Sequence, residues 1–249
     1  DSLSPEFQQR YIPAAPDTVR VDGRLYGLPI ALDTFALYFN AYLVSETPVD
    51  LSDLLAQIGS DRVLVAPSTP FEALHWGASA FGGRVFDAGG ELVLNDPGAE
   101  EWLEWLHAAQ SASGVSFVRS QAEAVDRFVA GEAVYMTGGP GLLPDLQQRM
   151  GRTGVGVAPL PSCSEGPSGP ILKTDALMLN PKAGNPTAAV EFARYVTGAE
   201  SQRTLMEMAQ VVPANNTLTL DEMTPAIGAF VEQAATAIAL PNRPEAGAV

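Results

Sequence analysis

One cysteine, Cys163, is the whole thiol inventory of this 249-residue chain. A single thiol excludes an internal disulfide framework and any zinc site built from cysteines. Only two lysines, Lys173 and Lys182, and two histidines, His75 and His107, are present. Bases number 14 against 29 acids, which leaves a net charge of −15. A nucleic-acid groove needs a basic stripe to neutralise phosphates, and this composition offers none. The same deficit argues against docking on an anionic membrane through a basic face. No apolar run reaches the ~18 residues of a membrane helix, and no basic stretch followed by an apolar one marks a signal peptide. The chain is expected to be a mature protein or an excised domain, with no direct membrane insertion by this segment.

What is present reads as a turn-rich globular body. Hydrophobic residues make up 46% and charged residues 17%, too apolar for a disordered chain, while Gly 23 and Pro 20 show no collagen-like period. The length suits one large domain or two modest ones. Residues 1–24 read as irregular, and Leu25–Ile30 and Thr34–Tyr42 as extended. Arg62–Ala66 reads as a buried strand entering a proline-rich loop, and Phe71–Phe81 as helical until Gly82-Gly83. Three further helices carry start and stop signals. Asp96-Pro97 opens one that lasts to Gly114, Ser120-Gln121-Ala122-Glu123 is a capping box for a second ending at Gly131, and Asn185-Pro186 opens a third ending at Gly198. In the third, Ala189, Phe192, Ala193 and Val196 share one face. Ala133–Thr137 and Gly154–Leu160 are strands between helices, so the expected class is α/β with sheets covered on both faces.

No catalytic constellation appears. The histidines lie outside any H-E-x-x-H pattern, so each reads as a surface or hydrogen-bonded side chain. There is no G-x-S-x-G elbow and no phosphate-binding G-x-x-x-x-G-K-[ST] loop. Gly154-Val155-Gly156 lacks the third glycine and the helix of a dinucleotide site. We therefore assign no catalytic residue, no metal ligand and no cofactor. Gly138-Gly139-Pro140-Gly141 is the most informative local feature, since it joins a strand to an expected helix at Leu142–Met150. Its N–H groups either face a ligand or merely form a tight turn. Trp102 and Trp105, at helical spacing, read as packing. Trp76 is open to both roles, sugar stacking or core.

Several segments together resemble one family, the extracellular solute-binding proteins of the maltose-binding type. Gly23-Arg24-Leu25-Tyr26-Gly27-Leu28-Pro29-Ile30, followed by Asp33 and Ala36-Leu37-Tyr38-Phe39-Asn40, is similar to that family's crossover between lobes. Phe128, Gly131-Glu132-Ala133, Tyr135-Met136-Thr137 and Gly139-Pro140 resemble its next segment. Gly156-Val157-Ala158-Pro159-Leu160-Pro161 resembles the strand after it, and Ala188–Asn215 a following helix pair. The four occur in the family's order.

The resemblance implies a two-lobe α/β fold of the periplasmic-binding-protein type (class II), with the second lobe nearly complete and the first partial. Residues 1–30 and 173–220 would belong to the first lobe, 31–172 to the second, and 221–249 would return to the second. It implies capture of a small-molecule solute, a mono- or oligosaccharide, for ABC-transporter permease subunits outside the cytoplasm, without catalysis. By position, Asp33 would face the solute at the hinge. Phe71, Glu72, His75 and Trp76 would lie on the second-lobe rim, and Gly139, Gly141 and Arg243 along the floor. The family's frequent tryptophan after Gly-Pro is Gly141 here, which removes a stacking platform. The chain thus looks truncated at both ends. The alternative is a docking or interaction domain of a permease fusion that keeps the fold and binds no solute. A reduced first lobe is expected to repack around residues 186–210, to dimerise edge to edge, or to receive strands from a partner.

Overall fold

The computed structural model describes residues 5–59, 62–68, 71–87, 91–93, 95–111, 114–180, 182–240 and 242. Its strands are β1 (Arg20–Val21), β2 (Arg24–Leu25), β3 (Gly27–Asp33), β4 (Ala36–Asn40), β5 (Leu64–Pro67), β6 (Val115–Val118), β7 (Tyr135–Gly138), β8 (Val155–Ala158), β9 (Ile171–Met178) and β10 (Ile238–Ala239). Its helices are α1 (Pro5–Gln8), α2 (Leu51–Gln57), α3 (Glu72–His75), α4 (Pro97–Ser111), α5 (Gln121–Val129), α6 (Leu143–Met150), α7 (Pro186–Val196), α8 (Ala199–Ala209) and α9 (Pro225–Ala234). No described helix is long and apolar enough to cross a membrane.

The signalled helices start where their caps place them. Asp96 Oδ1 accepts from Ala99 N at 2.8 Å, Ser120 Oγ from Glu123 N at 3.2 Å, and Asn185 Oδ1 from Ala188 N at 3.0 Å. Each bond satisfies one of the N–H groups that a helix start leaves unpaired. Beyond α5, Gly131 takes φ 76°, a left-handed conformation that costs glycine little. The expected helix over Phe71–Phe81 is instead two short pieces, α3 and a 3-10 turn at Ala78–Phe81.

Two sheets carry the fold. The larger has the order β6-β5-β7-β4-β8, with β5 parallel to β6 and β7, and β4 antiparallel to β7 and β8. Alternate residues of a strand serve opposite faces. Leu37, Leu64 and Tyr135 pack with Leu54 of α2 and Trp102 of α4. Tyr38, Val65 and Met136 pack with Phe128 of α5, Leu146 of α6 and Phe230 of α9. Both faces are covered, which explains why these strands read as unbroken apolar runs.

The smaller sheet has the order β10-β9-β3, with α7 lying against β3 and α8. The far edge of β3 is occupied in part: Leu32 N donates to Val212 O at 2.9 Å. The chain passes between the two sheets where β3 runs into β4, where β8 leads to β9, and where α9 leads to β10. Thr34 Oγ1 donates to Ile171 O at 3.1 Å, tying the first crossing to the second. The buried Gln233 accepts from Leu160 N at 2.6 Å and donates to Ser168 O at 3.2 Å, tying the second to the third.

The face shared by Ala189, Phe192, Ala193 and Val196 is covered in part: Ala193 packs against the core, while α7 buries none of its residues fully and Phe192 is 60% exposed. Tyr195, Met178 and Met208 are also largely exposed.

Candidate functional site

The register of the larger sheet gathers distant residues at one edge. Pro67 stands opposite Val118, so β5 and β6 end together. Ala36 stands opposite Gly138, so β4 begins where β7 ends. Residues 68 and 71–75 after β5, 119–120 after β6, 139–142 after β7 and 33–35 before β4 therefore emerge side by side. This is the carboxyl edge of the parallel strands, where open α/β sheets form their ligand crevices.

Asp33 and Gly139 meet there. A Cβ on residue 139 would lie 2.8 Å from Asp33 Oδ1, closer than van der Waals contact allows. Glycine is thus what lets the carboxylate stand against the backbone of the loop. Asp33 is exposed, at the end of β3 and opposite Lys173 of β9. Gly141 is exposed, with open space where a side chain would begin.

Two residues that sequence reasoning left out hold this loop. Tyr38, fully buried in β4, donates from its hydroxyl to Gly139 O at 2.8 Å. Burial pushes its phenol well above the ordinary value, and the Asp33 charge adds to that. Gln121 at the start of α5 donates from its side-chain amide to Thr137 O at 3.3 Å and so pins the end of β7. A signal existed for Tyr38: a tyrosine alternating into a buried strand needs a partner for its hydroxyl.

The rim residues divide. Phe71 is half-buried, with its ring 5.0 Å from that of His75. Trp76 is a correction: it is 2% exposed and packs edge-on against Trp102 at 4.7 Å, so its ring is committed to the core. His75 is also a correction, since it is 6% exposed and faces neither solvent nor, at Nδ1, any hydrogen-bond partner. The backbone of Glu72 opens α3, but its side chain lies outside the described residues, as does Arg243. Asp33 and Gly139 are therefore brought together, Gly141 and Phe71 follow at the same edge, and His75 and Trp76 turn inward. Among the described residues no cluster of three metal-ligating side chains exists.

His75 carries a pH consequence. Burial lowers its pKa from 6.5 to about 4, with the charge of Asp96 pulling the other way. The unfolded chain then binds a proton that the folded chain refuses between those values. Stability is expected to fall as pH drops through that window, by roughly 3 kcal/mol in all. Unfolding by urea from pH 7 to 4 measures the slope, and His75→Gln should flatten it. An equal slope in that variant would assign the loss elsewhere.

Comparison with known proteins fits this geometry. The family described as bacterial extracellular solute-binding protein matches residues 4–231. The maltodextrin-binding protein MdxE of Bacillus subtilis is 25% identical over 91% of this chain and 60% of its own. A probable ABC transporter-binding protein of Deinococcus radiodurans is 24% identical over 93% of this chain and 62% of its own. The chain thus spans about three-fifths of the length of these curated relatives. Among solved structures, a cyclo/maltodextrin-binding protein complexed with maltotetraose superposes with TM-score 0.87 at 21% identity, over 99% of this chain and 68% of that one. The maltose-binding protein MalE of Listeria monocytogenes gives TM-score 0.83 at 23% identity, over 99% and 70%. The two-lobe architecture of that fold accounts for the two sheets and their three crossings. The chain belongs to the bacterial extracellular solute-binding proteins.

Proposed function

We propose that this chain captures an oligosaccharide of the maltodextrin class at the carboxyl edge of the larger sheet, for delivery to an ABC-transporter permease outside the cytoplasm. The observation that carries the reading is the Asp33 carboxylate set against the side-chain-free backbone of Gly139. A carboxylate accepts two hydroxyl hydrogen bonds at once, and a flat ring covers the C–H face of a sugar. Asp33 supplies the first and Phe71, half-buried on the same edge, the second. The printed names of the relatives supply the sugar class. The two lobes are the bodies around the two sheets. The expected bounds, 1–30 and 173–220 for the first and 31–172 with 221–249 for the second, are amended at the crossings. There β3 to Asp33, β9 from Ile171 and β10 at Ile238–Ala239 belong to the smaller sheet, and α9 of the last segment returns to the larger.

Thermal unfolding in the presence of a saccharide panel tests this. A maltodextrin at ~100 times its Kd should add about 2.7 kcal/mol to stability, and glucose-free polyols should add nothing comparable. No shift with any saccharide would reject the reading.

The second reading, an interaction domain, draws on one observation, the exposed Phe192, Tyr195, Met178 and Met208 of the smaller body. Apolar side chains left in water favour a covering polypeptide. Concentration-dependent sedimentation distinguishes it: self-association in the absence of sugar supports this reading, and a monomer at all concentrations opposes a self-covering form of it.

A further inference from the structure

On one flank of the molecule a groove of about 460 Å³ lies between α6 and the end of α8. Gln147, Gln148 and Arg152 line it from the larger body, and Glu207, Met208 and Gln210 from the smaller. Among the described residues one hydrogen bond crosses it: Gln210 Nε2 donates to Gln147 Oε1 at 2.8 Å. The two bodies are therefore joined here by a single side-chain contact across open space, and not by packed core.

That contact is held at a cost. Gln210 takes φ 54°, the left-handed region in which a residue with a side chain is strained. Its amide Oε1 is buried and has no hydrogen-bond partner. Turning both amides over keeps the bond to Gln147 and leaves the same buried position unpaired, now as a donor. A buried polar atom without a partner favours any arrangement that frees or pairs it. Charge points in one direction. Arg152 and Glu207 stand on opposite walls, both exposed, and neither takes part in an ion pair among the described residues. Opposite charges on two bodies across a gap pull that gap closed.

We propose that this groove is a seam that closes. In a second placement of the two bodies α6 and the end of α8 approach, Arg152 pairs with Glu207, and the Gln210 side chain leaves its half-satisfied position. An exposed ion pair shifts such an equilibrium only a few-fold, so the seam biases the placement and does not lock it. The seam shares no residue with the Asp33 edge, and its test uses no sugar, so its failure and that of the saccharide reading are separate results.

The test places spin labels on the full 249-residue chain through Ala122→Cys on α5 and Thr204→Cys on α8, exposed positions on either side of the seam, with Cys163→Ser to remove the native thiol. Pulsed electron resonance reads the distance distribution. A second, shorter distance is expected beside the main one. Arg152→Glu should lower the share of the shorter distance about threefold or more, and added sodium chloride should lower it too. Glu207→Arg in the same chain should restore it, with the charges exchanged. If Arg152→Glu fails to fold, Arg152→Gln carries the same expected loss. A single distance overturns the proposal, as does a shorter distance that the folded Arg152 variant leaves unchanged or that the double reversal does not restore.

Discussion

Trp76→Ala is expected to cost about 3–5 kcal/mol of folding stability, the range for emptying a large aromatic site in a core. Trp76 is 2% exposed and begins a run of rings, edge-on to Trp102 at 4.7 Å, with Trp102 stacked on Trp105 at 5.0 Å and 11°. The run is anchored where Trp102 Nε1 donates to Leu74 O at 2.8 Å. Its close fit shows at Gly77, where a Cβ would come within 2.3 Å of the Trp102 ring. Little room therefore exists for relaxation into the space a missing indole leaves. Urea unfolding measures the cost. A loss below 1 kcal/mol, together with weakened sugar binding, would instead make Trp76 a stacking platform that the fold exposes.

Asp33→Asn should do the reverse, lowering saccharide affinity roughly 10–100-fold while changing stability by less than about 1 kcal/mol. The affinity figure follows from one hydrogen bond to a charged group, about 1.5–3 kcal/mol. The small stability effect follows from exposure, since Asp33 ends β3 at the surface. Asparagine keeps the shape beside Gly139 and loses the charge, so a fall in affinity is read as loss of the acceptor and not as collapse of the loop. Calorimetric titration with maltotetraose, beside urea unfolding of the same variant, separates the two quantities. Unchanged affinity would move the sugar away from this carboxylate.

The parts of the fold legible in sequence were those governed by neighbours in the chain. Asp96, Ser120 and Asn185 announce helix starts because the cap bond spans only three residues. The segments around Ala36–Asn40 and Tyr135–Gly138 announce buried strands by their apolar runs. Asp33 and Gly139 were each singled out, but their contact was not readable as geometry, since only the pairing of β4 with β7 joins them. The inward turn of His75 and Trp76, which the resemblance put on the rim, was not readable for a related reason. A helix of four residues sets no periodicity from which its inward side is read, and His75 at the end of α3 and Trp76 just after it both turn to the interior. Phe192 shows the opposite limit: its spacing on α7 puts it on the apolar face, yet it stays 60% exposed. Spacing tells which residues share a face, and only packing tells whether that face is covered.

Hydrogen exchange with and without saturating maltotetraose tests the central claim most directly, because it locates the ligand without relying on any substitution. The account predicts slowed exchange at residues 33–36, 71–75 and 138–142, the carboxyl edge of the larger sheet. The loop at 41–49, at the opposite edge, should be unaffected. Protection confined to 41–49, or no protection at 33–36 and 138–142 under saturation, would contradict it.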